Sequence, residues 1–373
     1  MYMVGDSGRR GYGELLSSFW ASAASAGVKL PQAEPVSAPA FCNARKKLRP
    51  ALLQVLLSKA RAALETSHGD RLLWHGRRVF AVDGCRFNLQ RSDELLQRFG
   101  MPHGGHCPQA LVSTLYDVIG QVPCAATIAP RDSCERQELL KLMPWMHPGD
   151  IVVLDRGYPS FDVLQAFHDA DIDIVVRVPK SSTFDAIGVF QQAAGDDHRV
   201  FLRPGIEFRA VRIDCGGKEP WLLLTSVRRC QITISQMAEL YHLRWTIEEF
   251  FKLLKGDFFG QRQFHSKSAD GVEQELRAQF LFVVLARILA ADAAQAVDAP
   301  LEQIITKSSI LALAEVVATL FLLDDRDAWA LTHHPQLLRR IAHRRYKARR
   351  GRSCPRRSFK PGPRWNAKGR TGS

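Results

Sequence analysis

Hydrophobic and polar positions along the chain follow two periods, and the places where the period changes mark its elements. Residues 1–75 carry helical spacing twice, at 13–26 and 43–65, on either side of a proline-rich loop at 30–39. From residue 77 the spacing becomes that of strands. Residues 78–84 are an apolar run closed by Asp83 and Gly84, and 109–119 and 121–129 are two strands joined at Gly120 as a hairpin. A helix is expected over 134–146 with Ser133 as its cap, then a second apolar run, 150–158, with Asp155 near its end. A helix at 160–170 and a strand at 172–178 follow, and 184–229 is strand-rich, with strands at 199–203, 207–213 and 221–225. Helical spacing returns at 237–255, 269–296 and 300–321.

The stretch 237–255 has the most sharply divided surface. At 100° per residue, Leu240, Leu243, Ile247, Phe250, Phe251 and Leu254 share one stripe, and Tyr241, Arg244, Glu248 and Lys255 line one edge of it. Side chains at such an edge are held by the core yet can meet a ligand. The same wheel puts Glu248 beside the core and Glu249 in solvent. A helix with spaced surface ion pairs is the plain alternative.

Composition is that of an ordinary folded protein with room for two or three domains. The net charge of +13 resides in residues 339–373, which hold 14 Lys and Arg and no acid; the remaining 37 basic and 38 acidic residues nearly cancel. A near-neutral body with a polycationic end fits a polyanionic partner, nucleic acid being the commonest. The basic cluster from Arg45 to Arg49 offers a second, smaller phosphate-binding candidate. Eight cysteines without a Cys-x-x-Cys pair argue against a zinc ribbon and for a reducing compartment, and the run from His103 to Cys107 reads as a loop. No apolar run reaches the length of a membrane span, and the N-terminus lacks a signal-peptide core.

Tyr241 followed by Arg244, Glu248 and Lys255 resembles the signature around the third acidic residue of bacterial insertion-sequence transposases of the family whose prototype is insertion sequence four. The run from Phe80 to Gly84, with the later Arg98-Phe99-Gly100, resembles that family's first motif, and Leu154-Asp-Arg-Gly-Tyr158 its second. The resemblance covers roughly residues 79–265, including the segment 261–265, and implies a cut-and-paste DDE transposase. The implied fold is α/β, an RNase H-like mixed sheet flanked by helices. A small helical N-terminal region (1–75) would precede the core (76–183), with a β-rich insertion (184–230) before the acidic helix (231–268). C-terminal helices (269–338) and a basic tail (339–373), with Trp365, would complete it.

In such a sheet the first and fourth strands lie side by side, so Asp83 and Asp155 meet, and Glu248 completes the catalytic and metal-binding triad. Three carboxylates make a hard oxygen site suited to Mg²⁺ or Mn²⁺, two ions being expected, with no nucleotide cofactor. The resemblance further assigns Tyr241, Arg244 and Lys255 to the DNA end beside the scissile bond, and Trp221 to stacking on a flipped base. It implies a homodimer holding both terminal inverted repeats, target DNA as second substrate, and residence on DNA in the bacterial cytoplasm. Two rivals remain: a metal-dependent RNase H-like nuclease that cuts without joining, and a non-catalytic DNA-binding descendant of a transposase.

Overall fold

The computed structural model describes residues 11–346 except 26, 182–183, 204–205, 216–218, 258–263 and 323–325, and no side chain within 318–332. Part of the segment 261–265, and the tail beyond residue 346 with Trp365, lie outside the described residues. Three helices come first: α1 (Tyr12–Ser25), α2 (Ala38–Arg45) and α3 (Pro50–His68). The single helix expected over 43–65 is therefore two. Pro50 cannot continue a preceding helix but is suited to start one, and Ser37 caps α2 by accepting the Ala40 N–H at 3.3 Å.

The sheet strands are β1 (Val79–Asn88), β2 (Gln109–Asp117), β3 (Val122–Pro130), β4 (Ile151–Leu154), β5 (Asp173–Val178), β6 (Asp197–Arg203), β7 (Ile206–Ile213) and β8 (Trp221–Thr225). They form one mixed sheet in the order β3-β2-β1-β4-β5-β8-β7-β6. β1 runs antiparallel to β2 and parallel to β4, which is parallel to β5. The placement of β1 beside β4 is the one expected of an RNase H-like sheet. Strands β6 to β8 extend this sheet through antiparallel pairing of β8 with β5. The turn from β2 to β3 is closed by Asp117, whose Oδ1 accepts the N–H groups of Ile119 and Gly120 at 3.0 and 2.8 Å.

Helices cover both faces. On one side lie α5 (Glu135–Leu142), α6 (Phe161–Asp169) and α7 (Asp185–Gln192); on the other, α8 (Ile234–Leu243), α9 (Trp245–Lys252) and α10 (Ala269–Ala296). A short α4 (Asp93–Phe99) precedes β2, and α11 (Thr306–Leu322) and α12 (Arg326–His343) close the chain. Alternation along β1 divides the two cores: Val79, Ala81 and Phe87 pack toward α8 to α10, Phe80 and Val82 toward α5 and α6. α10 matches the stretch read from the sequence to the residue, and most of its length is buried.

The helix expected over 237–255 is interrupted. α8 ends at Leu243, α9 begins at Trp245, and Leu253–Asp257 widens into a π turn. Around Arg244 the backbone bonds tighten to three-residue spacing, Arg244 N–H to Tyr241 O and Ile247 N–H to Arg244 O, both 3.3 Å. Burial of Ile247, Phe250 and Phe251, at about 1.5–3 kcal/mol per side chain, fixes the roll of α9 and hence the direction of Glu248. Among the described residues no helix is long and apolar enough to cross a membrane, and seven cysteines are free thiols.

The basic cluster from Arg45 to Arg49 has a mainly structural leading residue. Arg45 donates to Gln274 Oε1 and the Gly271 carbonyl, both at 3.2 Å, and pairs with Glu275 and the Tyr12 hydroxyl. Glu275 thereby ties the N-terminal helices to α10 and also accepts the His265 N–H at 2.8 Å.

Candidate active site

Parallel pairing sets Val79 opposite Ile151, Phe80 opposite Val152 and Ala81 opposite Val153. The same register carried two residues further sets Asp83, midway along β1, opposite Asp155, just past the end of β4, with the two backbones about 4.8 Å apart. The carboxyl ends of parallel strands are the usual ligand-binding edge of such sheets. Each acid is anchored by a following glycine: Asp83 Oδ1 accepts the Gly84 N–H at 2.9 Å, and Asp155 Oδ1 accepts the Gly157 N–H at 2.8 Å. At Gly157 a Cβ would lie 3.1 Å from that same oxygen, so a side chain there would crowd the turn.

Burial, reinforced by the charge of Asp155, pushes the Asp83 carboxyl from its ordinary 3.8 up to about 7. The Gly84 N–H and the Arg244 guanidinium act in the opposite direction, and Glu135 adds to the rise. Two acids so placed resist simultaneous ionisation in water. A divalent cation would relieve that repulsion, and carboxylate oxygens are the donors that Mg²⁺ and Mn²⁺ prefer. The residues present fit such an ion.

Glu248 is linked to this pair through Arg244 rather than gathered with it. Its Oε1 accepts from Arg244 Nη2 at 2.8 Å, an i,i+4 ion pair, while Glu249 is exposed and pairs with Lys252. Arg244 is 7% exposed, so its guanidinium is a buried cation lying between Glu248 and Asp83. Its Nε is buried without a hydrogen-bond partner. As the side chains lie, no three of the described His, Cys, Asp and Glu residues are gathered to hold one ion. The three acids read from the sequence thus reach the same end of the sheet, two as a pair and the third through Arg244.

The remaining expected residues surround this centre. Tyr241 is buried under the Arg244 guanidinium, whose Cζ is 5.9 Å from the ring centre; burial raises the phenol's pKa, with Arg244, Arg177 and Asp155 the nearest charges. Trp221, half-buried at the start of β8, meets Tyr241 edge-on at 5.1 Å between ring centres. Lys255, in the π turn, places Nζ 5.0 Å from the Phe87 ring centre and lies beside the Cys85 thiol, on the face of β1 that also carries Asp83.

Three neighbours escaped sequence reasoning. Arg177 near the end of β5 faces Tyr241, Tyr158 is buried with its hydroxyl near both aspartates, and Glu135 opens α5 beside Gly84. An acid in the first turn of a helix is common for dipole reasons alone, so Glu135 carried no distinctive signal. Tyr158 was visible only as the last letter of a motif.

Residues 74–285, more than half of the chain, match the family described as transposase DDE domain. No curated protein matches the sequence. Among solved structures, a cryo-EM structure of a piggyBac transposase synaptic complex with hairpin DNA is similar at 8% identity and a TM-score of 0.46, over 69% of this chain and 57% of that one.

Proposed function

The chain belongs to the family of the transposase DDE domain, and we propose that it is a DNA transposase that cuts at the ends of an insertion sequence and joins them to target DNA. The observation that carries this reading is the placement of Asp83, within β1, beside Asp155, just past the end of the parallel strand β4, with Glu248 tethered toward them by Arg244. Mg²⁺ or Mn²⁺, as two ions, would be held by Asp83, Asp155 and Glu248. Bound there, the ions would activate water or a 3′-hydroxyl and stabilise the departing oxygen. Transesterification exchanges one phosphodiester for another, so no nucleotide cofactor is needed.

The chain's own residues do the rest. Arg244, with a buried donor lacking a partner, grips a phosphate beside the scissile bond; a guanidinium can turn two donors on one phosphate. Lys255 adds a point charge on the same side, and Tyr241 supports Arg244 from beneath while its hydroxyl faces the site. Trp221, only half-buried, offers a ring face for an unpaired base near the cleaved end. The partner is double-stranded DNA, terminal inverted repeats and target alike, held by a homodimer in a synaptic complex. The site of action is the bacterial cytoplasm on the nucleoid, with the basic tail following phosphates.

The test uses the short inverted repeats expected beside the coding region. Full-length protein with Mg²⁺ is expected to nick these ends and, supplied with pre-cut ends, to join them to plasmid DNA. Asp83→Asn, Asp155→Asn and Glu248→Gln should each abolish both steps while still binding the ends. Cutting without joining would favour a nuclease. Binding without Mg²⁺-dependent nicking would favour a non-catalytic descendant, and activity surviving in the three variants would overturn the assignment of these acids.

A further inference from the structure

On the face of β1 opposite Asp83, the carboxyl group of Glu135 lies directly over Gly84. A Cβ at Gly84 would stand 2.9 Å from Glu135 Cδ, closer than real side chains approach, and a tight 3.1 Å from both Glu135 Oε2 and Leu111 Cδ1. That carboxylate therefore occupies the space that a side chain at 84 would fill, one residue from Asp83. The next residue of α5, Arg136, donates from Nε to the Gly157 carbonyl at 3.0 Å, tying the start of the helix to the turn that carries Asp155. Glu135 is thus held between the loop of one acid and the strand of the other. Its first-turn position explains why an acid is tolerated there, not why it folds across the sheet end instead of pointing to solvent.

A second observation is independent of the acids. Tyr158 is 1% exposed, and its hydroxyl has no hydrogen-bond partner. The charges around it are those of Asp83, Glu135, Asp155 and Arg244, so a buried phenol is aimed into the acidic centre. It lies beside Glu135, close enough to favour the ionised carboxylate, yet without hydrogen-bond geometry to any group. Leaving a buried hydroxyl unbonded costs stability, a cost that persists where function requires the group. Near Glu135, Arg86 attracts the carboxylate and Asp155 repels it.

We propose that Glu135 is a fourth carboxylate of the cation centre, reaching it from the helical layer opposite Glu248, with the Tyr158 hydroxyl positioning that carboxylate. The inference rests on the reading of Asp83 and Asp155 as cation ligands. It adds a donor from the other side of the sheet; with Glu248 held on Arg244 and no three acids gathered as the side chains lie, a bound cation would draw Glu135 toward Asp83 and Asp155.

Mn²⁺ titration of the full chain, followed by the electron paramagnetic resonance signal of the free ion, tests this without relying on turnover. Glu135→Gln should weaken Mn²⁺ binding by about tenfold or more, or remove one bound ion, and Glu135→Asp should restore part of it. Tyr158→Phe should shift the affinity in the same direction by less, with the melting temperature close to that of the parent. Gly84→Ala gives a second route, since its methyl group must displace the Glu135 carboxylate while Asp83 stays in place. Asp83→Asn is the control. If Asp83→Asn loses Mn²⁺ while Glu135→Gln and Gly84→Ala bind it as the parent does, the role of Glu135 is overturned and the aspartate centre stands. If Asp83→Asn also binds as the parent does, the cation centre itself is overturned.

Discussion

A buried acid kept near an unsatisfied partner should cost the fold stability in the absence of cations, and Asp83 allows the cost to be worked out. Raising its carboxyl from 3.8 to about 7 penalises the ionised folded state by about 4 kcal/mol, at roughly 1.36 kcal/mol for each pKa unit. The unfolded chain gives up this proton near 3.8, whereas the folded chain keeps it to about 7. Between those values the folded state binds more protons, so stability falls as pH rises and levels off above about 7. The group imposes no penalty below its unfolded pKa.

Asp83→Asn removes the charge and keeps an oxygen for the Gly84 N–H that Asp83 now accepts at 2.9 Å. It forfeits the attraction to Arg244, so a net gain of about 2–4 kcal/mol is expected at pH 8 in EDTA. With an unfolding entropy of about 2.1 cal/mol/K per residue, and unfolding taken as one cooperative step, this is about 3–5 °C in melting temperature. At pH 5 most of the parent's Asp83 is protonated, and the gap should shrink to less than half. Calorimetric melts of parent and variant at the two pH values decide the matter. A variant that melts lower than the parent at pH 8, or a gap of equal size at both, would refute the reasoning. The variant lacking the proposed catalytic acid is thus expected to be the more stable one, a trade-off frequent at active sites.

Because binding a cation requires Asp83 to release that proton, end cleavage at limiting Mg²⁺ should rise with pH through about 7, and the midpoint should move lower as Mg²⁺ is raised. Arg45→Ala should lower stability by about 2 kcal/mol, through its lost bonds to Gln274, Gly271 and Glu275, while DNA-end affinity in a mobility-shift assay stays within about twofold. Lys255→Met should weaken DNA binding evenly across sequences and reduce the slope of log affinity against log salt by about one, whereas an unchanged slope would remove Lys255 from the phosphate contacts.

What the sequence revealed follows from how local each determinant is. The apolar runs of β1 and β4, each closed by an acid, are legible because a strand buried on both faces needs an unbroken apolar run, and a carboxylate must stand where burial ends. α4 and α7 were missed at this level although Ser92 caps α4 through the Leu95 N–H at 3.3 Å; each helix is two turns long, too short for a period to stand out. The division at Arg244 and the π turn at Leu253–Asp257 were hidden for a different reason, since a wheel advances every residue by the same angle. Glu135 belongs to a third kind. Its importance comes from β1, α5 and the turn after β4 meeting in space, and nothing in its own neighbourhood of sequence encodes that meeting.

The break at Arg244 has a consequence for how the site is set. Tightening at this residue keeps the guanidinium buried between α8 and α9, over the Tyr241 ring and within reach of Glu248 one turn later. A long cation in that position pairs with Glu248 and attracts Asp83, offsetting part of the repulsion that Asp155 exerts on it. The same arrangement leaves Arg244 Nε buried and unbonded, a donor with about 1–3 kcal/mol to regain from an acceptor such as a phosphate oxygen. Arg244 therefore couples the two halves of the proposed chemistry. When Glu248 finds another counter-charge, the guanidinium that held it becomes available to the DNA, so cation binding should strengthen the grip on the cleaved end. Arg244→Lys, which keeps the charge and loses the fork, should bind DNA ends with an affinity that no longer depends on Ca²⁺, a non-activating substitute for Mg²⁺. An affinity in that variant that still rises with Ca²⁺ as the parent's does would break the coupling.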